Sequence, residues 1–470
     1  MPTLYSRNRG AFSLGKKVGG GGEGDVFAVT GSTGHVAKRY HAGQATKERQ
    51  TKLEVMVGNP PDDPCSRLGH TSIAWPLDLI YLDPAVHIFD GFVMPRIDGA
   101  RPLADAYHVP TRRRSMPGFT WQYLLCAGRN LASAVQALHD KGYVVGDMNE
   151  SNVFIYPTGL VTLIDTDSFQ VPGPTGVFRC PVGKPEYLPP ERQGSNLNSV
   201  NRTSSDDHFA LAVLIFLLLM EGRHPFDGVP TGVPDEPEIE QRIARNWFRQ
   251  AYGPHCGAVL PPPSCPPWAI LPAQLQSLFV RCFVEGENLP DRRPSAIEWT
   301  EGLDRVMASL QSCSTNSCHS YSAHLRSCPW CERSATLGIA DPFPSHKSAA
   351  TVTTQTVKTQ VGRTPATTPP MRNLATTAAR THHITAITSR VAAANVVTTG
   401  KLLTVGAPVQ KSISIASGNH VTAASSAGAG SGVPKAGAIL PSHTSVAGPS
   451  ISAAKGVRAS QPISSGKQCP

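Results

Sequence analysis

Four polar residues stand out because apolar runs flank them. Lys38 lies inside the strand-like phrase HVAKRY, where a lone ammonium is costly unless it meets an anion. Asp147, Asn152 and Asp165 lie in YVVGDMNESNVFIYPTGLVTLIDTDSF, residues 143–169, with the Asn five residues after the first Asp and the second Asp thirteen beyond it. Two carboxylates and an amide oxygen are hard donors of the kind Mg²⁺ takes, and a carboxylate can also receive the proton of an attacking hydroxyl. A solvated acidic turn between two strands is the plain alternative for each acid taken alone. A softer group follows: Cys328-Pro329-Trp330-Cys331 has the C-x-x-C spacing that lets two thiolates reach one tetrahedral ion. Cys313, Cys318, His319 and His324 are open candidates for the remaining ligands.

The elements that must position these residues are legible in outline. LGKKVGGGGEGDVFAV places Gly19, Gly21 and Gly24 in a G-x-G-x-x-G-x-V frame closed by Val26. The flanks FSLGKKV and DVFAVT predict two strands, so the glycines form a hairpin whose amides can lie against phosphates, unless they are only a flexible linker. Lys38 either snorkels to an edge or meets phosphates and a carboxylate. ATKERQTKLEVMV has helical spacing and offers Glu48 as that carboxylate, with Glu54 as the alternative. HTSIAWPLDLIYL predicts the next strand, and FDGFVMPRIDGARPL a buried strand running into a turn. WQYLLCAGRNLASAVQALHDKGY is a long amphipathic helix with Leu131, Val135 and Leu138 on one face.

Length alone would suggest roughly three domains at about 150 residues each. The composition argues for fewer. After Asp341 there is no Asp or Glu, and after Phe343 no Phe, Tyr or Trp, while Lys and Arg number 12. Of the chain's net +9, the first 341 residues therefore carry −3, so the basic character belongs to the tail. That argues against a nucleic-acid-binding core. Without aromatics the tail cannot bury enough surface to offset the entropy of ordering it, and residues 345–470 are expected to be disordered. Such a tail reads as a solubilising or linking segment, or, since Ser and Thr alternate with isolated Lys and Arg, as a phosphoacceptor or an anion-seeking arm. The longest apolar run, FALAVLIFLLLM (209–220), is too short for a bilayer and suits a buried helix. The first residues lack an apolar signal core, and clustered Cys suit metal in a reducing compartment. A cytoplasmic, membrane-free protein is the expectation.

Taken in order, these motifs resemble a eukaryotic-type protein kinase domain in a divergent bacterial form. Gly19, Gly21, Gly24 and Val26 fit the Gly-rich loop, and Lys38 in VAK fits the strand-three lysine. Asp147 and Asn152 fit D-x-x-x-x-N, and Asp165 in DTD fits the D-F-G aspartate. GKPEYLPPE (183–191), Asp207 in DHFALAVLIF, GRHPF and DRRPSAIEW complete a large lobe, with Arg293 as partner of Glu191. The resemblance implies an α+β, two-lobed fold over residues 12–308, with a small lobe at 12–97 and a large lobe at 98–308. It implies ATP and Mg²⁺ as cofactors. Lys38, held by Glu48, would orient phosphates; Asn152 and Asp165 would bind Mg²⁺; Asp147 would accept the hydroxyl proton. Met94, Pro95 and Ile97 would border the adenine.

Departures from the pattern accompany the matches. The usual H-R-D is Val145-Gly146-Asp147, which removes the Arg that meets a phosphorylated activation segment. Asp167, in place of the D-F-G glycine, reads as a strand-end turn former, with an acceptor beside the metal site as the other reading. Asn149 replaces the catalytic-loop Lys, and Lys184 replaces the Thr of GTPEY, so Lys184 is expected to return the missing positive charge.

For residues 309–340, we take Cys313 and His319 as partners of Cys328 and Cys331. Their phrase C-x-x-N-x-x-H-x-Y before CPWC resembles the zinc ribbon of tellurite-resistance-associated bacterial kinases. A structural Zn²⁺ would staple a segment with little core of its own; a redox C-x-x-C is the rival. Trp330 is either an exposed docking point or a packed ring. Three functions follow from the resemblance: an active Ser/Thr protein kinase with its tail as a candidate substrate, a pseudokinase scaffold, or a small-molecule phosphotransferase. Protein substrates are the implied partners.

Overall fold

Short β-rich phrases broken by glycine build the first lobe. The computed structural model describes residues 3–345, except 84, 86, 233–236 and 254–256. The tail expected to be disordered lies outside the described residues. Seven strands form one antiparallel sheet: β1 (Leu4–Ser6), β2 (Gly10–Phe12), β3 (Leu14–Gly20), β4 (Gly24–Val29), β5 (His35–Tyr40), β6 (Asp78–Tyr81) and β7 (Phe89–Pro95). Their spatial order is β2-β1-β6-β7-β5-β4-β3. β1 and β2 thus extend the sheet ahead of residue 12, where the small lobe was expected to start. Lys38 lies on β5 opposite Val26 of β4 and Phe92 of β7. Gly24 permits this close pairing, because a Cβ there would lie 2.3 Å from the Arg39 carbonyl oxygen.

One helix, α1 (Lys47–Gly58), packs against the sheet, capped by Thr46, whose side chain accepts from Arg49 N. Leu53 and Met56 supply its apolar contact, and Lys52 is buried with them. HTSIAWPLDLIYL yields a strand only from Asp78 onward. Ahead of it Ile73 bridges to Leu163 of the other lobe, and Trp75 donates its indole N–H to the Met56 carbonyl. Those tertiary bonds replace the sheet ladder, and Pro76 cannot donate to one.

The large lobe is helical: α2 (Ala104–Tyr107), α3 (Val109–Ser115), α4 (Trp121–His139), α5 (Ser204–Leu219), α6 (Ile239–Ala244), α7 (Trp247–Tyr252), α8 (Ala273–Phe283) and α9 (Ala296–Ala308). Leu131, Val135 and Leu138 of α4 are fully buried, as their spacing predicts. α5 is apolar on every side, and all its residues from Phe209 to Leu219 are buried, the environment such a helix requires. Two short strands, Val153–Ile155 and Val161–Leu163, pair antiparallel and carry the loops of the cleft. This is the α+β, two-lobed arrangement that the resemblance implies. No helix among the described residues is long and apolar enough to cross a membrane.

After α9 a hairpin, Leu310–Ser312 with Ser320–Ser322, leads to the helix α10 (Pro329–Leu337). Trp330 is a packed ring, 1% exposed, lying 5.8 Å from Trp121 and 5.0 Å from Phe343 between centroids. Its indole N–H donates to the Ser320 carbonyl at 2.8 Å. Arg333 pairs with Glu221 at 2.7 Å, tying α10 to the end of α5. Trp330→Ala is expected to lower stability by about 3–5 kcal/mol, the usual loss for truncating a buried aromatic. A fall in the denaturant midpoint at unchanged slope would show it.

Candidate active site

The two lobes enclose a cleft of about 990 Å³. Its walls include Gly19, Gly21, Gly24 and Val26 from the glycine hairpin, Lys38 from β5, and Met94, Pro95 and Ile97 from the end of β7. Asp147, Asn152, Asp165 and Asp167 line it from the large lobe. The nucleotide-facing residues expected from sequence therefore share one cavity, with the exception of Glu48.

Asp147 is placed by backbone bonds. The Asp207 carboxylate, in the first turn of α5, accepts from Val145 N at 2.7 Å and Gly146 N at 2.8 Å, and His139 Nε2 lies 2.8 Å from it. Gly146 adopts φ +73, and a Cβ there would lie 2.8 Å from Cys180 Sγ. The loop thus has no room for a side chain where other kinases carry Arg. Arg202 approaches the same space from the segment before α5; it is buried and donates to the Val182 carbonyl at 3.1 Å. Sequence offered no signal for Arg202, because the contact is tertiary.

The amides of Asn149 and Asn152 hold the Asp147 carboxylate, donating to Oδ1 at 2.9 Å and to Oδ2 at 3.3 Å. Burial, and then the nearby charge of Asp165, raise the Asp147 pKa above its ordinary value, while Asn149 works against the shift. Asp165 takes a left-handed conformation, φ 56, uncommon for a residue with a side chain. Lys184 is half-buried beside the loop; its ammonium bonds Glu150 Oε1 at 2.9 Å and Ser151 Oγ at 2.7 Å. Its charge reaches Asp147 electrostatically and favours the carboxylate. Arg293 donates to both Glu191 oxygens at 2.7 Å, which pins the end of the activation segment.

Two expectations need correction. Glu48 does not hold Lys38: it sits exposed in the first turn of α1, where an acid complements the helix N-terminus. Glu54 is exposed as well and accepts from Gln50. Asp167 is not merely a turn former. It is buried, and both its oxygens lie 2.8 Å from the Lys38 ammonium. Tyr40 donates its hydroxyl to Asp167 at 2.8 Å, and Lys52 donates to the Asp167 carbonyl at 2.7 Å. Lys38 also reaches Asp165 at 3.1 Å. Burial opposes charge on both partners. The Lys38 charge nevertheless holds Asp167 below its ordinary pKa, and Asp167 and Asp165 hold Lys38 above its own.

Cys313, His319, Cys328 and Cys331 come together, with one ligand atom from each within 4.8 Å of the others. Cys318 and His324 do not join them; His324 meets the Ala269 carbonyl instead. Cys313 Sγ and Cys331 Sγ are 3.7 Å apart, and His319 Nδ1 is 3.4 Å from both Cys328 and Cys331 sulfurs. Bond lengths of about 2.3 Å to sulfur and 2.0 Å to nitrogen give tetrahedral edges close to these. The three-thiolate, one-imidazole set therefore fits Zn²⁺. His319 Nε2 lies 2.8 Å from Asp341 Oδ1, the outer carboxylate that orients a ligating imidazole. Asp341 lies just past the segment assigned to the zinc module in the sequence, and its role was not foreseen there.

No family model matches the chain. It is 34% identical over 331 residues to a protein named protein kinase YegI from Escherichia coli O157:H7, covering 70% of this chain and 50% of that one. It is 31% identical over 112 residues to the serine/threonine-protein kinase pkn2 of Myxococcus xanthus, 21% of this chain and 12% of that protein. A third likeness, 26% over 157 residues, is to the serine/threonine-protein kinase ppk27 of Schizosaccharomyces pombe, covering 30% and 37%. The chain spans about half the length of the first of these curated relatives. Likeness to a bacterial protein kinase over 70% of the chain, carried on a two-lobed fold around this cleft, supports a bacterial protein kinase of the eukaryotic-like type.

Proposed function

We propose that the chain is an ATP- and Mg²⁺-dependent protein kinase acting on Ser/Thr hydroxyls, its own basic tail among the candidate acceptors. The observation that carries this reading is the convergence of Lys38, Asp147, Asn152 and Asp165 on one cleft, with Asp147 fixed from behind by Asp207. The oxygens of Asn152 and Asp165 suit Mg²⁺, which would neutralise charge on the transferring phosphoryl group. Lys38 presents an ammonium to the nucleotide phosphates. The glycine hairpin leaves amides free of Cβ atoms above them. Asp147 accepts a hydrogen bond from the attacking hydroxyl and takes its proton late. Lys184 adds positive charge beside the catalytic loop, in the neighbourhood that Asn149 leaves neutral.

A pseudokinase scaffold is the second reading. It is favoured by one contact: the Lys38 ammonium already engages Asp165, the residue assigned to metal. Labelled ATP with Mg²⁺ or Mn²⁺ separates the two. Transfer to the chain or to a generic protein substrate, lowered about 10²–10⁴-fold in Asp147→Ala, is the expected result. ATP binding without transfer in any form would favour the scaffold. Loss of label in a chain ending at residue 345, which keeps Asp341 and Phe343, would place the acceptors in the tail. In the same assay Lys184→Ala is expected to slow turnover at saturating ATP; unchanged turnover would remove it from the site.

The pH profile tests the environment of Asp147. Its raised pKa puts the acid limb of kcat/KM above the ordinary Asp range. The Asn149 hydrogen bond favours the charged form, so Asn149→Ala is expected to move that limb to still higher pH. A limb that moves down, or stays, would mean that Asp147 is not the titrating base.

We further propose that Cys313, His319, Cys328 and Cys331 hold a structural Zn²⁺, since four protein ligands leave no open coordination position. Asp341→Ala is expected to weaken zinc retention by roughly 10–100-fold, measured by competition with a chromogenic chelator. Metal analysis of the Cys331→Ser protein should show the site largely emptied.

A further inference from the structure

We propose that Asp167, on the turn that follows the metal-site aspartate, is the positioning residue that holds Lys38 in the cleft, in place of an acid on α1. What that grip does for nucleotide binding rests on the kinase reading above; the ion pair itself does not.

The groups facing Lys38 decide the matter. Its ammonium is nearly dry, with the side chain 10% exposed, so it needs an anion with matching burial. Asp167 supplies one, its side chain 3% exposed and both oxygens 2.8 Å from Nζ. Asp165 is the other neighbour, at 3.1 Å through one oxygen, but its side chain is 38% exposed. α1 brings no acid. Its inward polar residue is Lys52, a second buried cation, and both its acids, Glu48 and Glu54, face solvent. An acid on α1 and a cation on α1 cannot fill the same space, and the helix has the cation.

Lys52 and Tyr40 then explain how Asp167 is kept in place. Lys52 donates to its carbonyl and Tyr40 to its carboxylate, so the turn is fixed from the helix and from the sheet. Arg49 stacks on Tyr40 at 5.0 Å and pairs with Glu23 of the glycine loop, which extends the same network to the cleft's roof. The consequence concerns control. In this chain Lys38 is gripped from the turn that also carries Asp165, so a swing of α1 does not by itself remove its counter-ion. Lysine orientation and the metal-site turn move together.

The test reads Lys38 directly. The full chain is treated with a neutral acylating reagent at mildly alkaline pH, and modification of Lys38 is followed by peptide mass spectrometry. Asp167→Asn keeps the shape and removes the buried anion that grips the ammonium, so Lys38 should be modified severalfold faster than in the parent. The exposed-acid variant Glu48→Gln/Glu54→Gln should react like the parent, and it keeps the test decisive if Asp167→Asn does not fold. Faster Lys38 modification in that double variant, or no change in folded Asp167→Asn, would overturn the proposal. Nucleotide titration gives the second readout. If Asp167 acts through Lys38, Asp167→Asn weakens ATP binding in the parent but adds nothing in a Lys38→Met background. Full additivity would count against it. A parent chain that binds no nucleotide, yet shows Lys38 freed by Asp167→Asn, would remove the kinase reading and leave the ion pair standing.

Discussion

A buried ammonium is the constraint around which the small lobe is arranged. Lys38 sits mid-sheet on β5, a strand paired on both sides, and its side chain points into a space with little water. Removing such a charge from water costs several kcal/mol unless an anion shares the burial. The anion here comes from the other lobe. The pair between Lys38 and Asp167 therefore joins sheet to helical lobe across the cleft, and the 166–168 turn is set where the sheet needs it. α1 adapts by contributing Lys52, whose ammonium meets a carbonyl rather than competing for the carboxylate.

The large lobe uses the opposite device. α5 is apolar on all sides and buried, and such a helix carries no information about what sits at its end. Its first turn supplies that information. Asp206 closes a capping box with Thr203 and pairs with Arg192, while Asp207 turns inward to the two amides that shape the catalytic loop. A carboxylate accepting backbone N–H bonds at a helix N-terminus is stabilised twice, by those bonds and by the helix dipole. Rigid placement of Asp147 follows from a greasy helix rather than from the loop's own residues. The Val-Gly-Asp sequence is consistent with this: Gly146 supplies the left-handed turn, and Arg202 fills the room beside it.

How much of this was legible depended on how local the cause was. Strands around a glycine hairpin, the apolar face of α4 and the buried run of α5 are written in spacing, and they appear where spacing put them. The acids and amide of the catalytic loop were found because their separations along the chain are set by two short strands. Glu48 was misjudged for a physical reason. Glu48 and Lys52 lie one turn apart on the same helix face, and periodicity does not show which turn of that face lies against the cleft; Glu48 falls in the exposed first turn and Lys52 in the buried one. Asp167 was underrated because nothing in DTDSF reveals that its second acid folds back towards a lysine 129 positions earlier. Partners separated by that distance are decided by packing, which no window of sequence contains.

The Cys/His module shows the same division at smaller scale. Spacing alone pointed to Cys328 and Cys331, whereas the choice of Cys313 and His319 over Cys318 and His324 leaned on the resemblance to a zinc ribbon. The support for that cluster could not be read so simply, since it comes from two directions. Asp341 reaches back to His319, and Asn316 bonds both Asp341 and the Phe343 carbonyl. Phe343 packs on Trp330 and under the Arg112 guanidinium, which also donates to the Pro342 carbonyl. The ligand set and the residues that lead out of it are thus one structure, seated on α3 and α4. A module of this size has too little apolar surface to fold by itself, and here it borrows the large lobe's core through Trp330. Trp330 meets Trp121 on α4, the helix that leads directly into the loop carrying Asp147, so the Cys/His cluster and that loop are supported by one continuous core.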